Sequence, residues 1–189
     1  MPILDHFNIL APLYDRLIHF EKPERLARIA ALPMSGRLLD AGGGTGRVAY
    51  ALAEYATQVV VADQSMGMLQ QAAMKGGVQP VCAITEQLPF PDGMFERIII
   101  VDAMHHVYDA VRTSHELWRV LKPGGRIVIE EPDIRKGIVK LAALVEKAAL
   151  MRSHFISPIK LASYFTSPHA SINIMVEGYT AWVVVDKVK

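Results

Sequence analysis

Short apolar runs alternate with helical stretches between residues 38 and 131, and this alternation limits the fold more than any other feature. The runs are brief, rich in β-branched residues and almost continuously apolar: RLLDA, QVVVAD, VQPVCAI, RIIIVDA and GRIVIEE. Strands that are buried on both faces of a parallel sheet have this composition. Because strands that alternate with helices imply right-handed crossovers, we expect an α/β fold with helices on both faces of the sheet.

Two of these segments carry a further signal. Helical spacing in residues 110–121 places four side chains roughly on one face of a predicted helix: Val111, His115, Trp118 and Leu121. The single cysteine, Cys82, lies inside the run VQPVCAI, so a buried and inert thiol is expected.

The 189 residues have the length of one domain, which we divide into three parts. Residues 1–35 are predicted to form an N-terminal helical cap, and residues 36–133 to form a ligand-binding core. Residues 134–189 are predicted to contain a helix over 137–152 and two final strands over 171–188. The turn at Glu177-Gly178 would join these strands into a hairpin at one edge of the sheet.

Charge and hydropathy exclude several classes of protein. The formal net charge is +1, which lacks the strong basic excess of a nucleic-acid binder, so no nucleic-acid partner is expected. The N-terminal sequence has no basic region ahead of an apolar stretch, and no apolar run reaches the length of a membrane span. We therefore expect no signal peptide, no integral membrane segment and a cytoplasmic location.

A glycine-rich loop follows the first predicted strand directly, in DAGGGTGRVAYALAE. Its glycines let the backbone turn sharply and approach a ligand closely: Gly42, Gly43, Gly44 and Gly46. Ligands of open α/β sheets bind outside the carboxyl ends of the strands, where this loop lies. Asp40, just before the loop, favours a cationic ligand group. The spacing from Gly44 is also compatible with NAD, and a tight turn without a ligand is the remaining alternative.

Asp63 ends the second predicted strand, 23 residues after Asp40. An acid at this place can accept hydrogen bonds from both hydroxyls of a ribose. The structural alternative is an N-cap for the helix that begins near Met66, and one side chain could serve both purposes.

The fourth predicted strand ends in VDAMHHVYD, which places Asp102, His105 and His106 at the same edge. A histidine there could take a proton at neutral pH, and Asp102 could bind an amine or hydroxyl of a substrate. The structural alternatives are a histidine that binds the next loop, a second that faces solvent, and an aspartate that caps a turn. Adjacent histidines have poor spacing for metal ligands, so no metal site is expected.

Three segments in series resemble motifs of class I S-adenosylmethionine-dependent methyltransferases: LLDAGGGTGRVAYALA, EQLPFPDGMFERIII and HELWRVLKPGGRIVIEEP. They span residues 37–132 in the right order. The N-terminal FNILAPLYD resembles the opening of the ubiquinone/menaquinone C-methyltransferase group within that class (the methyltransferase type 11 group). The resemblance implies a Rossmann-like, seven-stranded, mostly parallel sheet with a C-terminal antiparallel hairpin.

The resemblance also implies S-adenosylmethionine as cofactor and assigns residues to it by motif position. The methionine end would meet Asp40, Ala41, Gly42, Gly43 and Gly44. The ribose would meet Asp63. The adenine side would meet Gln64, Met68, Ile84, Thr85 and Glu86, and Tyr14 would close over the cofactor. Because Ile84 stands where the family often has an acid for the adenine amino group, backbone contacts must supply more of the adenine binding here.

The expected function is methyl transfer to a small, partly apolar acceptor, with His105 and Asp102 as candidate catalytic residues and His106 as a substrate contact. An NAD-dependent oxidoreductase would share the glycine loop and Asp63 but lack the LPFPD and LKPGG segments. A non-catalytic binding module of the same fold is the other alternative. The apolar face of residues 137–156 could pack on the sheet, line the acceptor site, touch a membrane surface or form a homodimer.

Overall fold

The structure, a computed structural model, describes Ala11, residues 23–140, Leu144 and residues 153–189. Strands and helices alternate as the sequence predicts. The helices are α1 (Pro23–Ile29), α2 (Arg47–Ala51), α3 (Met66–Lys75), α4 (Ala110–Val120) and α5 (Pro158–Ala162), with a 3-10 turn at Ala53–Tyr55. The strands are β1 (Met34–Ala41), β2 (Ala56–Asp63), β3 (Gln79–Cys82), β4 (Phe95–Val101), β5 (Leu121–Pro132), β6 (Ala170–Glu177) and β7 (Thr180–Lys187).

All seven strands form one sheet in the order β3-β2-β1-β4-β5-β7-β6. The first five pair in parallel, and β7 runs antiparallel to both β5 and β6. The predicted seven-stranded, mostly parallel sheet with its C-terminal hairpin is therefore confirmed. The chain crosses from β3 at one edge back to β4 beside β1, so the strand order switches between β1 and β4. Ligands of such sheets bind at that switch point, beyond the carboxyl ends of the strands.

Both faces of the sheet are covered, which explains why the strands are almost continuously apolar. Successive residues of β1 enter opposite layers: Leu39 joins the cluster that contains Phe95, while Leu38 joins the cluster that contains Val61. Neither leucine exposes any surface. This burial holds the carboxyl ends of the central strands in fixed positions beneath the candidate site.

The predicted burial of Cys82 is wrong, and the predicted helical face over residues 110–121 is buried only in part. Cys82 is exposed, because β3 is an edge strand with β2 as its only neighbour in the described sheet. Of the predicted face, Trp118 packs against the core and Leu121 is buried, whereas Val111 and His115 are exposed. The buried residues of α4 are Thr113, Ser114, Leu117 and Val120. Two of the buried residues are polar, so the observed buried face differs from the face that apolar spacing selects.

Several predicted features lie outside the described residues: most of the N-terminal cap, Tyr14, and most of the predicted helix over residues 137–152. Residues 137–140 are helical. Among the residues that the structure describes, no helix combines the length and apolar character needed to cross a membrane.

Candidate functional site

Four acidic side chains lie at the carboxyl ends of adjacent parallel strands. Asp40 and Asp63 are near the ends of β1 and β2, Asp102 follows β4, and Glu131 is near the end of β5. The sequence predicts the first three at this edge. Glu131 was missed, although its place at the end of the apolar run GRIVIEE was a usable signal.

The glycine loop that follows β1 contacts the carboxyl ends of both neighbouring strands, β2 and β4. The backbone N–H of Gly42 donates to the carbonyl oxygen of Ala62 on β2 at 2.7 Å. Gly42 has a φ of +68°, and a Cβ there would lie 2.9 Å from the Cβ of Ala103, just past β4. Side chains at this position would therefore push the loop away from the switch point.

Gly43 covers the carboxyl group of Asp40. A Cβ at Gly43 would lie 2.6 Å from Cγ of Asp40, so the loop backbone contacts this side chain directly. Asp40 is 1 % exposed, and its Oδ2 has no hydrogen-bond partner within the described part of the chain. A buried carboxylate oxygen without a partner is costly and indicates a polar or cationic ligand group at this place.

Burial raises the pKa of Asp40 to about 7; the Arg47 guanidinium opposes this rise, and the neighbouring Asp63 carboxylate adds to it. The carboxyl group is thus easily protonated near neutral pH although the Arg47 guanidinium favours its ionised form. A bound ammonium group would favour its ionised form.

Asp63 connects the glycine loop to the start of α3. Its Oδ2 accepts from the backbone N–H of Gly44 at 2.9 Å, and its Oδ1 accepts from that of Ser65 at 2.8 Å. The N-cap of α3 is Ser65, whose side chain makes no capping hydrogen bond. Asp63 therefore holds the loop in place from the position that the sequence assigns to ribose binding.

The two residues predicted on the adenine side of β2 differ in exposure. Gln64 is exposed beside the end of β2. Met68 is 2 % exposed, and its sulfur lies 3.9 Å from the position of a Cβ at Gly44, so it forms part of the floor under the loop.

The predicted adenine-edge residues after β3 have divided roles. Ile84 is 47 % exposed, whereas Thr85 and Glu86 are buried. Oε1 of Glu86 accepts from the backbone N–H groups of Tyr108 at 2.7 Å and Asp109 at 3.0 Å. The Glu86 carboxylate thereby fixes the loop before α4, which leaves Ile84 and the backbone of this segment to line a ligand.

Asp102 and Arg47 form an ion pair across the mouth of the switch point, with Nη2 of Arg47 3.3 Å from Oδ2 of Asp102. Asp102 has a φ of +51°, and its side chain is 42 % exposed. Desolvation and the nearby Glu131 carboxylate raise its pKa, while Arg47 and His105 oppose the rise. A non-glycine residue in this conformation is uncommon and marks a constrained turn.

His105 is buried against Glu131. Nδ1 of His105 lies 2.5 Å from Oε2 of Glu131, and Oε1 of Glu131 accepts from the backbone N–H of Met104 at 2.7 Å. The glutamate thus holds both the ring and the backbone of the turn that follows β4.

A segment from the C-terminal part of the chain covers this turn. The Phe155 ring stacks on His105 with centroids 4.4 Å apart, and the backbone N–H of His154 donates to the His105 carbonyl oxygen at 2.6 Å. Ser153 lies with its Oγ 3.4 Å from Nδ1 of His106. Asp102, His105 and His106 are therefore brought together, as predicted, beneath a cover that the sequence did not reveal.

The described residues contain no group of three His, Cys, Asp or Glu side chains placed to hold a metal ion. They do fit S-adenosylmethionine, the cofactor that the sequence resemblance implies. Its α-ammonium group matches the buried, unpaired oxygen of Asp40, and the loop at Gly43 leaves no space for a Cβ. Asp63, one strand away, carries the carboxylate that a ribose diol requires.

Comparison with known proteins agrees with these features. Residues 39–129 match the family described as a methyltransferase domain. The chain is 35 % identical to a demethylmenaquinone methyltransferase of Clavibacter sepedonicus, over 81 % of this chain and 62 % of the relative. It is 36 % identical to a ubiquinone/menaquinone biosynthesis C-methyltransferase of Geobacter sulfurreducens, over 68 % of this chain and 57 % of the relative.

The fold is likewise similar to that of an S-adenosylmethionine-dependent methyltransferase from Aquifex aeolicus. The TM-score is 0.72 with 18 % identity, and the match covers 100 % of both chains. This likeness concerns the fold. The chain spans about three fifths of the length of the two curated relatives, with 62 % and 57 % of them covered.

Proposed function

We propose that this chain, which belongs to the class I S-adenosylmethionine-dependent methyltransferases, transfers the cofactor's methyl group to a small, partly apolar acceptor. The observation that carries the proposal is the buried carboxyl group of Asp40 at the switch point: Gly43 covers it, and its Oδ2 has no hydrogen-bond partner within the described chain. The bound cofactor supplies a methyl group that is already activated by its sulfonium. The chain itself has to bind the cofactor and the acceptor, to align their reacting atoms and to exclude water.

The proposed cofactor contacts follow the sequence assignment. Asp40 and the backbone from Ala41 to Gly44 hold the methionine end, and Asp63 holds the ribose. Gln64, Met68 and the segment of Ile84, Thr85 and Glu86 form the adenine side, and Tyr14 is the proposed cover. Fixed placement of this kind can contribute roughly 7–11 kcal/mol to the rate through orientation alone.

The turn after β4 is the proposed acceptor site. His105 takes the acceptor proton where one is lost, Asp102 binds a polar group of the acceptor, and His106 lines the site. Support comes from their common position beside the glycine loop, where Ala103 faces Gly42 and Asp102 pairs with Arg47.

A small, partly apolar acceptor is supported by the two relatives, a demethylmenaquinone methyltransferase and a ubiquinone/menaquinone biosynthesis C-methyltransferase. Quinone precursors combine a polar ring with an apolar substituent. The net charge of +1 supports the absence of a nucleic-acid partner. A homodimer stays a prediction.

S-adenosylhomocysteine, the demethylated cofactor, is expected to stabilise the protein, whereas NAD is not. At a hundredfold excess over its dissociation constant, the ligand adds about 2.7 kcal/mol, which corresponds to a rise in Tm of roughly 5–10 °C. Thermal unfolding with each ligand measures the difference. A shift with NAD and none with S-adenosylhomocysteine would favour the oxidoreductase alternative and reject the proposal.

Asp63→Ala is expected to weaken S-adenosylhomocysteine binding roughly tenfold to hundredfold without unfolding the protein, because charge-assisted hydrogen bonds contribute about 1.5–3 kcal/mol each. Calorimetric titration gives the affinity. Asp186→Ala is the matched control, since that carboxylate pairs with Arg126 away from the loop. Equal affinities for the two variants would show that Asp63 serves only the backbone of the glycine loop and of the start of α3, and does not bind the ribose.

A further inference from the structure

We infer that Glu131 is a positioning residue that sets His105 as the proton acceptor of the reaction, so that the acceptor must lose a proton when it is methylated. This inference rests on the proposed function and narrows its substrate class. The acceptor carries a reacting O–H or N–H group, or a carbon made nucleophilic by a neighbouring hydroxyl. Acceptors without such a proton, such as thioethers and tertiary amines, are excluded.

The two oxygens of Glu131 have separate partners. Oε1 accepts from the backbone N–H of Met104 at 2.7 Å, and Oε2 lies 2.5 Å from Nδ1 of His105. An ionised carboxylate can only accept hydrogen bonds, so Nδ1 carries a hydrogen and Nε2 is the nitrogen able to take up a proton. The glutamate thereby determines which end of the ring acts as a base.

The ring cannot readily turn away from this arrangement. Phe155 stacks on it at an interplanar angle of 11°, and the His106 ring lies 4.0 Å from it between centroids. The backbone N–H of His154 also holds the His105 carbonyl oxygen. Orientation of the imidazole is thus set by its environment before any acceptor binds, which favours proton transfer.

A purely structural role explains the pair poorly. His105 is 5 % exposed and Glu131 is 7 % exposed, so both polar groups were removed from water. Burying a carboxylate against an imidazole typically adds little net stability, because desolvation offsets the attraction between the two groups. His105 also lies in the turn that contacts the glycine loop, since Ala103 faces Gly42 two residues before His105.

The O–H or N–H bond of the acceptor breaks, its proton moves to Nε2 of His105, and the freed electron pair makes the reacting atom nucleophilic. That atom forms the new bond to the methyl carbon as the methyl–sulfur bond breaks with its electron pair left on sulfur. Where the reacting atom is a carbon beside the hydroxyl, the electron pair reaches it from the oxygen, and after methylation the carbon loses its own hydrogen as a proton while the oxygen regains one, so that one proton is released overall. The imidazolium then keeps its Nδ1–H bonded to Glu131 and returns the proton to solvent.

Glu131→Gln tests this assignment with little change of shape. Since the Met104 N–H can only donate, the amide oxygen faces it and the amide nitrogen donates to Nδ1, which moves the ring hydrogen to Nε2. We expect kcat for an acceptor found by screening S-adenosylhomocysteine release to fall about a hundredfold. The acceptor KM and the affinity for S-adenosylhomocysteine are expected to stay within about twofold of the native values.

A readout independent of turnover is the ¹⁵N NMR signal of the His105 ring, which distinguishes the two tautomers. The native protein is expected to carry its hydrogen on Nδ1, and Glu131→Gln on Nε2. Glu116→Gln is the matched control, because this partly buried carboxylate on α4 accepts from the backbone N–H of Leu88 outside the site. It should leave both kcat and the tautomer unchanged.

The outcomes separate the two proposals. If the native protein binds S-adenosylhomocysteine but methylates no acceptor in the screen, the proposed function fails, while the NMR result still decides the role of Glu131. If Glu131→Gln keeps its native kcat, or the native ring carries its hydrogen on Nε2, the inference is overturned. Should Glu131→Gln not fold, Glu131→Asp keeps the charge, and it is expected to retain the native tautomer with a smaller loss of kcat.

Discussion

Gly43→Ala is expected to remain folded but to bind S-adenosylhomocysteine at least about a hundredfold more weakly than the native protein. The new Cβ would lie 2.6 Å from Cγ and 2.7 Å from Oδ2 of Asp40, and 3.0 Å from Cγ1 of Val61. Contacts this short force a movement, and Asp40 is only 1 % exposed, so its side chain cannot move aside without disturbing its packed surroundings. Either the loop rises from the strand ends or Asp40 leaves its place, and both changes disrupt the methionine end of the site.

Gly43 isolates this effect better than the other loop glycines do. Gly42, Gly44 and Gly46 all have positive φ values, so an alanine there would add backbone strain to any steric effect. Gly137→Ala is the control, because a Cβ at Gly137 meets nothing within 4 Å. Calorimetric titration and thermal unfolding of both variants make the comparison; a Gly43→Ala protein with native affinity would contradict the assigned cradle.

The sheet could be predicted because its signals are local and repeated. Apolar runs such as RIIIVDA are nearly continuous, which occurs where both faces of a strand are covered, and the sheet places Ile98 and Ile99 in opposite layers. The carboxyl-end rule then placed Asp40 and Asp63 at one edge without any knowledge of contacts. Both predictions depend on position along a strand, and that information is present in the sequence.

Features that depend on distant partners could not be predicted in this way. The buried face of α4 is set by Thr113, whose Oγ1 lies 3.0 Å from that of Thr85, and by Asp109, which caps the helix. A helical period that selects apolar residues cannot find a buried face lined by hydroxyl groups. Likewise, Glu131 and His105 are 26 residues apart, and only the parallel pairing of β4 with β5 brings them together.

Binding of S-adenosylhomocysteine is expected to release about half a proton at pH 7, and its affinity to rise roughly tenfold between pH 6 and pH 8. Burial raises the pKa of Asp40 to about 7, so the carboxyl group is half protonated near neutrality in the free protein. The cationic ammonium group of the ligand favours the ionised form, so binding drives the proton off. The ligand ammonium itself stays charged throughout this range.

The raised pKa of Asp40 also determines how the stability of the ligand-free protein changes with pH. A carboxyl pKa that is higher in the folded state means that the folded chain holds the proton more tightly. Asp40 therefore destabilises the fold increasingly as pH rises from its ordinary value of 3.8 towards 7, and its contribution levels off above 7. Ligand should reverse part of this loss, so the stabilisation by S-adenosylhomocysteine is expected to be larger at pH 8 than at pH 6.

Titration in two buffers of different ionisation enthalpy measures the released proton directly, and affinities at several pH values give the slope. Asp40→Asn is the decisive comparison, because it keeps the shape of the side chain and removes the titration. We expect it to bind S-adenosylhomocysteine more weakly at pH 8 and with no dependence on pH between 6 and 8. If Asp40→Asn kept the native pH dependence, the proton would belong to another group, and the ammonium would have to be held elsewhere in the site.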